Sequence, residues 1–510
     1  MSNSSQSSVS LKEMTKSQRE RFSWLFNPGN DIGGGIVATF CLLPEVMGFM
    51  LSIGIPPYMG LFTCITLTIT LAIVGGRPGV ITACAGATAT ICAGLISKFF
   101  IPGTHPEYLF AAVLFAGIIQ IILGLIKFGN LIKFIPESIM HGFVNGLASL
   151  ILISQIKMLL KEKPDNMPEL LIVVAVGIGI IVAFDFFKKA VKVKFLQYIP
   201  SPMVCVVLVS VYAMAGHRPI MRIVDLGSVV PDYQFVGSIF RNFGNVFTGE
   251  GMAAVLPVAV SVAFIGLVET MLTSRLVSEE TKTPELTDLN RECRGQGIGN
   301  IICSFVGTMP GCAMIAPTTA NVNSGGKGRL STLTTGLMMA VLLFALSPVL
   351  SAIPLAALIA VMLYTCFKTY NWDSIIHTNR HSVIDTFSML LVVAVVLGTD
   401  NLAFGVVAGL IVVAVSLIFK LFVPGKVSVA VAYIILGVSA AIAWFGIGTA
   451  FAVILSAVGI SVSDAARSNF DSETPGKVAV VLNAIAFAGS IFLIVLNSVI
   501  LPGHFQWYSV

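Results

Sequence analysis

Charge is scarce in this chain: 11% of its 510 residues are Asp, Glu, Lys or Arg, while 56% are hydrophobic and mean hydropathy is +0.93. An ordinary soluble domain carries about 25% charged residues, so soluble enzymes and soluble binding modules are excluded. The cysteines lack a pattern. All nine are single, mostly inside apolar runs such as those around Cys41, Cys92 and Cys303, with no CxxC pair and no histidine at metal spacing. They read as small buried hydrophobes, and neither a resident metal nor a cofactor is expected. The first 30 residues are Ser-rich and hold Lys12, Lys16, Arg19 and Arg21, but lack the apolar core and small-residue cleavage site of a signal peptide. They read as a cytoplasmic tail. The net charge of +5 requires no nucleic-acid partner.

What the chain has instead is apolar runs approaching the roughly 20 residues that cross a bilayer. Clear ones cover Gly35 to Ile53, Leu109 to Ile126, Leu170 to Phe184, Leu330 to Leu350 and Thr386 to Leu397. The expectation is an all-α, polytopic, multi-pass protein of the plasma (cell inner) membrane. Fourteen segments starting and ending inside give the intracellular side 21 of the 30 Lys and Arg and the opposite side seven, the asymmetry expected of a cytoplasmic N-terminus.

Two of the segments are broken. From Asn290 to Ser331 an apolar run is interrupted by Pro310, Gly311 and Pro317 before a Gly-rich charged exit; from Gly75 to Ser97 a Gly/Pro turn leads through a short extended run into a helix of barely three turns. Backbone that leaves its ladder at membrane depth is tolerated only inside protein or along a cavity. Each broken segment follows a longer one with a lone glutamate, Glu45 or Glu269, and this repeated order is the footprint of an inverted-repeat transporter. Half-helices starting near Ala83 to Thr88 and Ala313 to Thr318 would aim backbone N–H groups and positive dipole ends into one cavity, which suits a small anion. The candidate substrate positions read from this geometry are Thr82, Ala85, Gly86, Thr88, Ala313, Ala316 and Thr318. Close helix packing is the competing explanation for the small residues. Arg77 precedes the interruption of the first segment and Lys327 and Arg329 follow that of the second, with no Lys or Arg in 78–97 or 295–326, so Glu45 and Glu269 need neutralising from elsewhere; H+ or Na+ coupling at Glu269 and Thr273, one turn apart on a helix face, competes with a structural, protonated glutamate. His141 reads as a packed histidine rather than a proton relay.

Four motifs carry a resemblance. LPEVMGFMLSIGIPPYMGLF (Leu43 to Phe62), IKFIPESIMHGFVNGLASLI (Ile132 to Ile151), TDLNRECRGQGIGNIICSFVGTMPG with NVNSGGKGRLS (Thr287 to Ser331) and SPVLSAIPLAALIAVML (Ser347 to Leu363) resemble the signatures of the SulP anion permease family, in order from Gly29 to Val423. The resemblance implies fourteen segments as seven plus seven inverted repeats and a core rocking against a gate. It also implies a homodimer, substrate between segments three and ten with Glu45, Met314, Ile315 and Pro317 added to the candidate substrate positions, and coupling-ion ligands on segment eight. The core then spans about 31–130 and 252–350, and the gate about 131–215 and 351–423. Two departures bear on substrate: Ala83-Cys84-Ala85-Gly86 stands where the family has a GPTG-like motif, and Pro317 stands where animal exchangers have an arginine. Residues 424–510, where the family carries a cytoplasmic STAS domain, read as two or three further hydrophobic segments. The leading expectation is a secondary active transporter of sulfate or bicarbonate coupled to H+ or Na+. The alternatives are a nucleobase permease of the same fold and a non-transporting membrane sensor or scaffold.

Overall fold

The computed structural model describes residues 23–24, 27–101, 103, 105–130, 136–160, 167–191, 199–215, 242–345, 347–372, 374, 383–399 and 405–413. The expected C-terminal segments at 424–510 and most of the N-terminal tail lie outside the described residues.

The chain runs through helices in the order expected of a polytopic membrane protein. These are α1 (Pro28–Ser52), α2 (Pro57–Val74), α3 (Gly86–Leu95, continued by a π turn at Ile96–Phe100), α4 (Glu107–Leu125), α5 (Glu137–Leu160), α6 (Met167–Val191) and α7 (Ser201–Ala215). Then come α8 (Gly249–Thr281), α9 (Leu289–Val306), α10 (Ile315–Asn323), α11 (Arg329–Ala345), α12 (Leu355–Thr369) and α13 (Val383–Thr399). Six helices among the described residues are long and apolar enough to cross a membrane. Local chemistry sets several starts. Proline occupies the first turn of α1 and α2, where its missing N–H costs nothing. The Thr248 hydroxyl caps α8 by accepting from Gly251 N at 3.1 Å, and the Asp288 carboxylate caps α9 by accepting from Arg291 N at 2.9 Å.

The order of glutamate-bearing helix, following helix and broken helix occurs twice, as α1–α2–α3 and as α8–α9–α10. The structure adds one element to the all-α expectation. Residues Thr82–Ala83 (β1) and Cys312–Ala313 (β2) pair antiparallel, with Thr82 opposite Ala313 and Ala83 opposite Cys312. The short extended run anticipated in the first break is β1, and a two-residue strand leaves no alternating pattern from which its partner could be read.

The chain divides into two compact units, one of Met1–Ile132 and Gln155–Thr365, the other of Lys133–Ser154 and Cys366–Val510. In the first, α9 packs along α4, α8 joins α4 from another side, and α11 packs on α1 and α2. The α4–α9 seam is backbone against backbone. A methyl on Gly117 would sit 2.7 Å from Gly297 O, and one on Gly297 would sit 2.5 Å from Gly117 O, so both positions must be glycine for the helices to meet this closely. Outward-facing apolar side chains such as Ile172, Phe186, Val211, Leu337 and Phe344 remain exposed, the surface a helix presents to lipid and not to water. In the second unit His141 does sit within a polar packing cluster. Its Nδ1 is 2.7 Å from Asn371 Nδ2, while Asn371 N donates to Asn145 Oδ1 at 2.8 Å.

Candidate functional site

Chain that is neither helix nor long strand must still satisfy its backbone, and in this first unit side chains supply the partners. Beyond the β1–β2 pair, Met314 N donates to Ile81 O at 2.9 Å, and the Thr318 hydroxyl accepts from Ile81 N at 3.0 Å. Thr63 accepts from Met309 N and donates to Met309 O, both at 3.0 Å. Thr88 donates to Pro310 O at 3.2 Å, Thr332 to Val80 O at 3.1 Å, and Asn321 to Gly79 O at 2.9 Å. Gly311 is forced by proximity: a Cβ there would lie 2.3 Å from Ala83 O. The two breaks are thus built as one crossing, each satisfying the other.

The half-helices leave this crossing from the ends of an antiparallel pair, α3 starting at Gly86 and α10 at Ile315. Their preceding residues, Ala85 and Met314, are extended and offer no side-chain cap. The first-turn N–H groups of Gly86, Ala87 and Thr88, and of Ile315 and Ala316, are the orphan donors of two helix N-termini. Pro317 removes a third donor from α10, so the two ends are unequal. Thr82, Ala85, Gly86, Thr88, Ala313, Met314, Ile315, Ala316, Pro317 and Thr318 are all placed at the crossing, and of these only Ile315 and Ala316 keep partial exposure. Thr82 Oγ1 is fully buried without a hydrogen-bond partner among the described residues.

Glu269 stands beside the crossing on α8. Its Oε2 accepts from the Cys312 thiol, with Sγ 2.8 Å away, and Thr273 Oγ1 donates to Glu269 O at 2.9 Å and approaches Ala313 O at 3.3 Å. The partner of this buried carboxylate is a thiol of the second break and not a basic side chain. Two basic residues flanking the breaks, Arg77 and Arg329, are occupied elsewhere. Arg77 donates to Thr283 O at 2.9 Å, Val277 O at 3.2 Å and the Thr281 hydroxyl at 2.6 Å, while Arg329 donates to Ala72 O at 2.9 Å and Gly75 O at 2.7 Å. Both guanidinium groups sit on the carbonyl ends of helices, α8 and α2 respectively, where a cation offsets the negative dipole end. Glu292 Oε2 ties the same region together, accepting from Arg77 N at 2.9 Å.

Glu45 is also buried, but on α1 its Oε1 accepts from the Thr365 hydroxyl of α12 at 3.3 Å. Its partner is therefore outside the crossing. Sequence reasoning also passed over Thr270, Gln296 and Asn300, which hold β2 and the residue before it from behind, Gln120, which bonds Asn300, and Cys312 of β2 itself. Gln296 and Asn300 belong to the GQGIGN stretch, and their signal was a pair of amides one helical turn apart in an apolar segment.

Comparison with known proteins gives a consistent neighbourhood. Residues 29–393 match the family described as the sulfate permease family. YbaR of Bacillus subtilis (strain 168), provisionally named a sulfate transporter, is 35% identical over 406 residues, 78% of each chain. The bicarbonate transporter BicA of Picosynechococcus sp. is 25% identical over 369 residues, 68% of this chain and 62% of that one. Among solved structures, the transmembrane domain of a cyanobacterium bicarbonate transporter BicA superposes with a TM-score of 0.63 at 22% identity, covering 76% of this chain and 97% of that one. SLC26A9 superposes at 0.61 with 19% identity, over 74% and 63% of the two chains. At these identities the structural likeness establishes the fold.

Proposed function

The chain belongs to the sulfate permease family, and from that premise we propose that it is a secondary active transporter of a small inorganic anion, sulfate or bicarbonate, driven by H+ or Na+. The observation that carries this reading is the crossing itself. Two uncapped helix N-termini flank one buried antiparallel pair, and a buried carboxylate, Glu269, stands against it. Helix N-termini lined by Ala85, Gly86, Ala313 and Ala316 let an anion reach backbone N–H groups, with the Thr82 hydroxyl as a further donor, while the Thr88 and Thr318 hydroxyls are engaged within the crossing.

An anion and an ionised Glu269 repel at close range in a low dielectric. A proton or Na+ at Glu269 and Thr273 removes that repulsion, so anion affinity and cation occupancy are linked, and a cation gradient drives uptake. The family resemblance supports alternating access by motion of the core ranges against the gate ranges. It also supports a homodimer in the plasma membrane with a cytoplasmic N-terminus. Purified protein in liposomes, given labelled sulfate or bicarbonate under separate H+ and Na+ gradients, tests the reading. Accumulation of one anion under one gradient is expected. Movement of uracil or xanthine with neither anion transported overturns it.

A further inference from the structure

The second strand is held on the side away from β1 by side chains alone. Gly311 N donates to Asn300 Oδ1 at 3.0 Å, and Gln296 Nε2 donates to Gly311 O at 2.9 Å. On the far side of Cys312, Ala313 N donates to Thr270 Oγ1 at 3.0 Å, and that hydroxyl donates in turn to Gln296 Oε1. Asn300 Nδ2 donates to Gln120 Oε1 at 2.8 Å, so the chain of amides continues onto α4. The residues before and after Cys312 are therefore both fixed, and every donor and acceptor named is buried. What this arrangement aims is the thiol, whose Sγ lies 2.8 Å from Glu269 Oε2. Satisfying the backbone of β2 accounts for Asn300, Gln296 and Thr270. It does not account for a donor at position 312 turned onto the one carboxylate beside the crossing.

We infer that Cys312 is a positioning residue for Glu269: its thiol hydrogen holds the carboxylate beside Thr273 in the orientation that receives the coupling cation, and Thr270, Gln296 and Asn300 set the register that aims it. This inference rests on the transport reading above. A glutamate side chain has three rotatable bonds, and a fixed donor restricts them before the cation arrives. With Cys312→Ala the donor is lost with little change of volume. With Cys312→Ser a donor is kept at the same position.

The test measures cation-driven anion uptake in proteoliposomes as a function of Na+ and of H+ concentration. For C312A the half-saturating concentration of the driving cation shifts by roughly tenfold, the scale of one hydrogen bond to a charged group. The anion KM at saturating cation stays within about twofold, and C312S returns the cation dependence toward wild type. A purely structural thiol would lower the amount of active protein and leave the cation half-saturation in place. An unshifted half-saturation in C312A, or a C312S as altered as C312A, overturns the inference alone. Wild-type uptake indifferent to both cations overturns the proposed coupling and this inference with it.

Discussion

Replacing Asn300 by alanine measures how much of the crossing hangs on one side chain. In the native chain the amide accepts from Gly311 N at 3.0 Å and donates to Gln120 Oε1 at 2.8 Å, with Gly311 O at 3.4 Å. Gly311 O also has Gln296 Nε2 at 2.9 Å and stays satisfied. The substitution therefore strands two buried groups, the Gly311 N–H and Gln120 Oε1, at about 1–3 kcal/mol each. The loss is about 2–6 kcal/mol, a large part of the roughly 5–15 kcal/mol that keeps a typical domain folded. Thermal unfolding in one detergent checks it, together with Gln120→Ala and the double variant. Removing Gln120 as well removes one stranded acceptor, so the double variant should be less destabilised than the sum of the singles by about 1 kcal/mol or more. An N300A protein as stable as wild type, or strict additivity with Q120A, refutes the account of the crossing as a mutually satisfied network.

Three further outcomes are expected. Glu269→Gln, which keeps the shape and removes the charge, abolishes accumulation driven by a cation gradient while one-for-one anion exchange at equal cation persists; gradient-driven uptake at the wild-type level would sink the coupling role. Ala316→Leu adds bulk at a partly exposed position in the first turn of α10, and raises the anion KM at least about tenfold, the scale set by 1.4 kcal/mol of lost binding, with the folded yield unchanged; an unaltered KM counts against the placement of the anion. Gly297→Val puts a branched side chain where even a Cβ is 2.5 Å from Gly117 O, and membrane-inserted, monodisperse protein is lost; normal yield and stability would show that the α4–α9 seam can open without cost.

The membrane class, the helix order and both breaks were legible because they depend on local composition: apolar runs of helical length, and Gly and Pro where a ladder must stop. Even the starts at Gly86 and Ile315 fall within the stretches anticipated from sequence. The partners that close the crossing were not legible, because each belongs to a different helix. Thr63 reaches Met309 across 246 positions and Gln120 reaches Asn300 across 180, distances at which no periodicity speaks. Cys312 was hidden for another reason. A cysteine in an apolar run looks like any small hydrophobe, and only the fold brings the carboxylate beside its sulfur. Glu45 stands among the substrate positions on the family resemblance, and what the structure adds is the hydrogen bond it accepts from Thr365.

The two-residue strand pair also has a bearing on biosynthesis. The hydrogen bond from Ile81 N to the Thr318 hydroxyl joins positions 237 residues apart. At roughly 5–20 residues per second of chain synthesis, the first break enters the bilayer about ten to fifty seconds before its other half exists. During that interval Ile81 N lacks its native hydroxyl partner, and the polar edge of β1 awaits β2. Nascent chains should accordingly be most vulnerable to quality-control proteolysis between insertion of α3 and arrival of α10, and released chains truncated just before β2 or just after α11 would differ sharply in their protease resistance.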